Sequence, residues 1–551
     1  MSPDISTAPP QALPDQVAAL RADLRTARYT VETTESLLGP VALAALRREN
    51  PIPARRALAA QSDPAAVLFR LFVLGDVVPY SLVRAVLPTL GADGALQLGL
   101  VGPASLPAHR GEDDHEADDP DSPLRALVDL APYSASDDAG EISWWIASDL
   151  SELATGRALG PEHVLGVGGA SLTLARITPR AAVGRVLDLG CGGGIQALHA
   201  SRHAEHVVAT DLSERALAFA AFNAALNEVD LELRQGSLLD PVAGETFDLI
   251  VSNPPFVITP RRAAAAPEHG VGDEPTTPET TWTYRDGGRA GDTLLAELLT
   301  GLPAHLASGG SAVMLGNWEI PRGGEWDEHP RAWLATASAD GVDSWVIQRE
   351  QEDPVQYAET WVRDGGVTDR DPRWSDLQAA WLDDFAGRDV EGIGFGYLLL
   401  RRPDGPDAVG SDSAGPRMGV LRTEEATGTG TGTLGVHLAE SLLALDVLAG
   451  MDDDALVARR LVRAADVVER RHLTPGQWDP MLIELVQGAG FARTVRADQV
   501  LAATVGALDG TLTLGQVLAA VCALTDADPD EARDQVLPVV RDLVRTGMVR
   551  L

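Results

Sequence analysis

Val186-Leu187-Asp188-Leu189-Gly190-Cys191-Gly192-Gly193-Gly194 decides the fold of this chain. Apart from Asp188 the strand residues Val186, Leu187 and Leu189 are apolar on both faces, which predicts a strand buried on both sides. The glycines then close it in a turn that opens a helix. Glycine admits positive φ and carries no side chain, so a ligand can approach the backbone closely at such a turn. Dinucleotide-binding folds share this feature, and the next strand narrows the reading. VVATDLS, residues 207–213, ends a second strand on Asp211. A carboxylate about 20 residues beyond a glycine turn is placed to accept hydrogen bonds from both hydroxyls of a ribose.

Outward from this block, strands alternate with helices from residue 151 to 402, the pattern of a parallel sheet covered on both faces. Seven strands are expected, on RVLDLG, HVVATD, DLELRQG, FDLIVSN, SAVMLGN, DSWVIQRE and FGYLLLRR. The expected architecture is α/β, a Rossmann-like seven-stranded domain with a flanking domain at each end. Residues 1–13 read as a disordered leader. Residues 14–150 read as a helical, winged-helix-like accessory domain that turns strand-like at LQLGLV, LRALVDLAP and ISWWIASDL; its acidic stretch GEDDHEADDPDS reads as a solvated loop. Residues 403–435, rich in Gly, Pro and Thr, read as a linker or mobile loop. Residues 436–551 read as helical and winged-helix-like, with Arg459, Arg460, Arg463, Arg470 and Arg471 on one helix. Residues 259–289 read as a lid.

Composition removes several chemistries. All 44 basic residues are arginine, so enzymes that need a Schiff-base, pyridoxal-phosphate or P-loop lysine are excluded. The two cysteines, Cys191 and Cys522, allow at most one disulfide and no cysteine-built metal site; no metal is expected. A formal net charge of −36 opposes loose attraction to nucleic acid, so such a substrate needs a local arginine patch. No apolar run approaches the roughly 20 residues of a membrane span and the N-terminus lacks a signal pattern. A cytoplasmic protein with no membrane partner is expected.

Asn253-Pro254-Pro255-Phe256 follows the fourth strand. A side-chain amide oxygen at Asn253 and the Pro254 carbonyl can accept both N–H bonds of an NH₂ group and aim its nitrogen. The two prolines stiffen the turn, and Phe256 can cover a planar group by stacking. Together these four are the candidate catalytic residues.

The two blocks resemble the motifs of class I S-adenosylmethionine methyltransferases of the group whose fourth strand ends in NPPF or NPPY. The resemblance spans about residues 160 to 320. It implies S-adenosylmethionine as cofactor, held by Asp188, Gly190, Cys191, Gly192, Gly194, Asp211, Leu212, Ser237 and Asn253, with Asp188 toward the ammonium group. HVLGVGGASLTLARITPR resembles the segment before the first strand, which brings Gly168, Gly169, Ala170 and Ser171 toward the methionine end. NPPF is similar to the motif of N6-adenine and guanine-N2 nucleic-acid methyltransferases and of HemK-type glutamine methyltransferases, which all attack an sp² nitrogen. TYRDGGRAGD and ASGGSAVML are similar to the region after that motif in the HemK-type enzymes. A macromolecular substrate is expected, with base amines of RNA or DNA slightly ahead of protein glutamine. The alternatives are a small-molecule methyltransferase and a non-catalytic cofactor-binding module. Trp318, just past a strand end, is expected on the ligand side of the sheet.

Overall fold

Strands form at each of the seven expected segments, and an eighth joins them. The structure, a computed structural model, describes residues 8–104, 122–137, 139–157, 159–261, 287–404 and 418–551. Most of the 1–13 leader, nearly all of the acidic stretch and most of the 259–289 lid lie outside the described residues. The central strands are β1 (Val183–Leu189), β2 (Ala204–Asp211), β3 (Glu232–Gln235), β4 (Phe247–Ser252), β5 (Leu306–Pro321), β6 (Asp343–Glu352), β7 (Val390–Arg401) and β8 (Leu421–Glu425). They lie in the order β3-β2-β1-β4-β5-β7-β6-β8, with β7 antiparallel to both its neighbours and every other pairing parallel. Strand order reverses between β1 and β4, and the crevice at the carboxyl ends of such strands is where ligands bind in open α/β sheets.

The alternation of the strands sorts two apolar layers. Val186, Val207, Leu249, Val251 and Val313 face one side, and Leu187, Val208, Ile250, Ala312 and Met314 the other. The helices α1 (Gly169–Ile177), α2 (Ile195–Ala200), α3 (Glu214–Leu226), α4 (Thr293–Gly301), α5 (Glu328–Ala339), α6 (Pro354–Asp364), α7 (Trp374–Gly387) and α8 (Leu434–Ala449) complete the domain and its exit. Trp318 is fully buried in the second layer, its Nε1 donating to the Trp326 carbonyl at 2.9 Å. It is therefore a core residue and not a ligand contact.

Residues 405–417 of the expected 403–435 linker lie outside the described residues, and the part from 418 is not a plain linker. Leu421–Glu425 extends the sheet in register with Ser344–Gln348. The run Thr427-Gly428-Thr429-Gly430-Thr431 then lies against residues 488–491, with Gly430 N donating to the Gly490 carbonyl at 2.9 Å. A Cβ on Gly428 would sit 2.3 Å from the Phe491 carbonyl oxygen, and one on Gly430 would sit 2.4 Å from Ala489. The glycines serve close backbone approach. Arg349 caps the run by donating to the carbonyls of Ala426, Thr427 and Gly428.

The N-terminal helices Pro14–Thr26, Val31–Leu46, Ile52–Leu58, Pro64–Phe72, Tyr80–Val86 and Gly91–Gln97 precede a hairpin of Asp129–Asp137 and Gly140–Ser148. LQLGLV begins as the end of a helix and reaches strand at Val101, because Gly99 at φ 73° ends the helix. The hairpin docks on α3 by a matched spacing. Asn223 and Asn227 stand four residues apart, about 6 Å along a helix, while Trp145 and Ala147 stand two apart, about 6.6 Å along a strand. Asn227 accepts from Trp145 N at 3.0 Å and donates to its carbonyl at 2.8 Å. Asn223 does the same at Ala147, at 2.7 and 3.0 Å. Phe219, Phe222 and Leu226 of α3 complete the N-terminal apolar core.

Beyond α8 the expected arginine helix is absent. Val462–Arg463 and Val467–Leu473 are strands, the second paired antiparallel with Pro480–Gln487. The β-branched pair Val467-Val468 and a turn through Pro475 and Gly476 at φ 83° favour a hairpin over a helix. The chain ends on helices Leu514–Thr525 and Pro529–Arg545 and a strand, Val549–Arg550, that pairs with Val462–Arg463. Among the described residues no helix is long and apolar enough to cross a membrane.

Candidate active site

The site forms where β1, β2 and β4 end. After Leu189 the chain takes positive φ at Gly190 (71°), Gly192 (53°) and Gly194 (84°), conformations that L side chains rarely adopt. A Cβ added at Gly190 or Gly192 would meet no atom within 4 Å, so the loop rims open space. Thr210 holds it from below, its carbonyl accepting from both Gly190 N and Cys191 N at 2.9 Å. Asn223 holds it from the side, donating to the Gly193 carbonyl at 2.9 Å. The same side chain therefore fixes the N-terminal hairpin and the glycine loop. Ser252 Oγ, at the end of β4, donates to the Leu189 carbonyl at 2.7 Å and locks the two strand ends together.

Asp188 and Asp211 bring two carboxylates to this loop. Asp188 is fully buried and its Oδ2 accepts from Ala197 N at 2.8 Å, tying β1 to α2. Burial, with the nearby Asp211 adding repulsion, pushes its carboxyl up to about 7. Asp211 accepts from Gly192 N at 2.9 Å and Ser213 N at 2.8 Å, and burial raises its pKa as well. Two buried carboxylates with raised pKa values are suited to a cationic ligand, which would offset the cost of their burial. Cys191 is buried and reduced; burial and the two aspartates raise its thiol, so it is not a nucleophile.

Leu212, 67% exposed, and the half-buried Ser237 flank Asp211, and Gly236 N donates to the Asp211 carbonyl at 3.0 Å. The upstream segment arches back over the loop. Asp149 accepts from Val164 N at 2.9 Å and pairs with Arg215 at the start of α3. Gln196 Nε2 donates to the Ser171 carbonyl at 2.7 Å, which places residues 168–171 beside the start of α2. Asp188, the glycine loop, Asp211, Leu212 and Ser237 thus lie around the ends of β1 and β2, with Ser171 beside the start of α2.

Asn253 follows β4 directly, and its Oδ1 is buried with no hydrogen-bond partner among the described residues. A buried polar atom left unpaired costs about 1–3 kcal/mol, which a ligand donor would recover. Pro254 is buried, and Pro255 and Phe256 line a narrow cavity with Asp292, Leu294 and Asn317. The helical hairpin α6–α7, inserted between β6 and β7, clamps the chain after this turn. Its Tyr357 hydroxyl accepts from Ile258 N at 3.0 Å and from Asn317 Nδ2 at 2.7 Å. Tyr357 is fixed in turn by Trp361, Trp381, Phe385 and Phe395, with ring centroids 5.7–5.9 Å away. Sequence reasoning missed Asn223, Tyr357 and Asn317. An asparagine inside the alanine-rich AFNAAL was a visible signal for the first, since asparagine is a poor helix former that needs a polar duty there.

Comparison with known proteins divides the chain in three. A family model described as methyltransferase small domain matches residues 166–267, and two domains of unknown function, DUF7059 and DUF7782, match 26–111 and 443–551. A ribosomal protein uL3 glutamine methyltransferase of Bradyrhizobium diazoefficiens is 34% identical over 174 residues, 30% of this chain and 51% of that protein. Release factor glutamine methyltransferases of Deinococcus radiodurans and Cereibacter sphaeroides are 50% identical over 86 residues and 43% over 133. The two matches cover 15% and 23% of this chain, and 31% and 45% of those proteins. The chain therefore spans about half the length of the first curated relative and less of the other two. A solved ribosomal protein L11 methylase of Lactobacillus delbrueckii subsp. bulgaricus aligns at 21% identity and a TM-score of 0.22, over 45% of this chain and 82% of that one. With the strand order, the glycine loop between Asp188 and Asp211, and Asn253 at the end of β4, these matches identify the middle of this chain as a HemK-like methyltransferase small domain of the class I, S-adenosylmethionine-dependent type.

Proposed function

We propose that the chain methylates a planar sp² nitrogen in a macromolecule, a glutamine-type side-chain amide in a protein ahead of a base amine in RNA or DNA. The observation that carries this reading is Asn253 Oδ1, buried, without a partner among the described residues and one residue past the strand that flanks the cofactor loop. The relatives reverse the order drawn from sequence. Relatives similar to this chain are named for glutamine methylation in ribosomal protein uL3 and in release factors. The charge of −36 agrees with a protein target better than with a phosphate backbone.

S-adenosylmethionine, when bound, supplies a methyl group made electrophilic by its sulfonium. Asp211 is the residue to hold the ribose hydroxyls, since its carboxylate stands at the end of β2 against the glycine loop and can accept further hydrogen bonds beside those from backbone amides. Asp188 supplies negative charge to the methionine end. The nitrogen of an amide is a poor nucleophile because its lone pair is delocalised, so its orientation decides the rate. Asn253 Oδ1 and the Pro254 carbonyl accept its two N–H bonds and fix that orientation. Phe256 and Pro255 exclude water from one face of the target.

The test is transfer of labelled methyl from the cofactor into fractionated lysate by the full chain. Label is expected in protein, with Asn253→Ala losing at least about a hundredfold in turnover, the cost of misplacing a reacting atom by about 1 Å. Label confined to small molecules, or undiminished by Asn253→Ala, would overturn the reading.

A further inference from the structure

A second carboxamide lines the narrow cavity against Pro255 and Phe256, and nothing in the motif accounts for it. Asn317 stands on β5, three residues beyond Met314, which is in register with Ser252 at the end of β4. It is 1% exposed. Its Nδ2 is spent on Tyr357, but its Oδ1 is buried with no partner among the described residues, and the residue lines the cavity that Pro255 and Phe256 also line. A buried amide that is half satisfied persists where a ligand completes it.

We propose that Asn317 Oδ1 is a substrate-contacting acceptor, additional to Asn253, that selects an N–H-bearing target group, and that Tyr357 is the positioning residue that aims it. The inference rests on the reading of this pocket as the site of an NH₂ group. Tyr357 suits the role because one phenol oxygen accepts from both Asn317 and Ile258, coupling the new acceptor to the chain two residues past Phe256. The aromatic ring is held on four sides by α6, α7 and β7, so the hydroxyl has little freedom to drift. An acceptor in this position discriminates by chemistry. A primary amide donates to it, and a ketone or ester of the same shape leaves it empty.

The test uses the full chain loaded with S-adenosylhomocysteine and two small probes, glutamine capped at both ends and its side-chain methyl ketone, which has the same shape without N–H. Their affinities are compared by calorimetry or by line broadening. Wild type is expected to prefer the amide. Asn317→Ala should cut that preference by about three- to tenfold, the worth of one neutral hydrogen bond. Tyr357→Phe keeps the ring and should cut it in the same direction by less, with S-adenosylhomocysteine affinity unchanged in both variants. A purely structural role for Asn317 would weaken both probes alike and leave their ratio intact, which would overturn the proposal. Asn253→Ala separates the two readings. If it lowers the preference and Asn317→Ala does not, the inference fails and the NH₂ site stands. If wild type shows no preference at all, both fail.

Discussion

Asp188 should make cofactor affinity depend on pH in a range where few carboxylates titrate. It is fully buried, and its carboxyl is pushed up to about 7 by desolvation and by Asp211. A bound sulfonium and ammonium favour its ionised form, so binding must first remove a proton whenever pH lies below that value. The affinity should then fall about tenfold per unit below pH 7. Between pH 8 and 5.5 the ionised fraction drops about thirtyfold, or about 2 kcal/mol at 1.36 kcal/mol per unit. The α-amino group of the cofactor is already charged over most of this span, so the slope below 7 belongs to the protein. Asp188→Asn keeps an acceptor for Ala197 N and removes the charge. Calorimetry on wild type and variant from pH 5.5 to 8 measures the effect. The variant should bind at pH 8 roughly as wild type does at the acid end, with a much shallower slope. Stability without cofactor should move oppositely. A carboxyl with a raised folded pKa lends stability below its unfolded value near 4, and that stability is lost as pH rises through about 7. Asp188→Asn should therefore flatten part of the fall in Tm toward alkaline pH. An unchanged pH slope of cofactor affinity in Asp188→Asn would refute the assignment.

Three further outcomes follow from the same contacts. Asp211→Ala should weaken cofactor binding by about 1.5–3 kcal/mol, the worth of hydrogen bonds to a charged acceptor, and calorimetry checks it. Asn223→Ala strips partners from Ala147 N and from the Ala147 and Gly193 carbonyls, so denaturant unfolding should show a loss of at least about 2 kcal/mol together with weaker cofactor binding. A fragment of residues 151–402 should aggregate, because Phe219, Phe222 and Leu226, each fully buried, would lose their N-terminal cover at about 1.5–3 kcal/mol apiece; a soluble, cofactor-binding fragment would contradict this.

The cofactor half of the site was legible because its determinants are local. Positive φ at Gly190, Gly192 and Gly194, the carboxylate at the end of β2 and the amide at the end of β4 each sit within a few residues of a strand that periodicity reveals. Beyond the NPPF turn the sequence was silent, since Tyr357 meets Ile258 and Asn317 only through hydrogen bonds that span 99 and 40 residues. Edges failed for a different reason. Leu421-Arg422-Thr423-Glu424-Glu425 is polar because an edge strand needs no apolar face, and the glycines after it resemble a linker although they serve a tight backbone contact. In the C-terminal part the arginines suggested a solvated helix, whereas β-branched valines and a Pro-Gly turn set the strands.

The central claim is that the transferred methyl ends on an amide nitrogen, and acid hydrolysis tests it most directly. Protein labelled by the full chain with tritiated S-adenosylmethionine should release its label as methylammonium, volatile as methylamine once the hydrolysate is made alkaline, because hydrolysis of an N-methyl amide splits the carbonyl–nitrogen bond and frees the methylated nitrogen. Label released as methanol, or retained on an amino acid through a carbon–methyl or sulfur–methyl bond, would contradict the account.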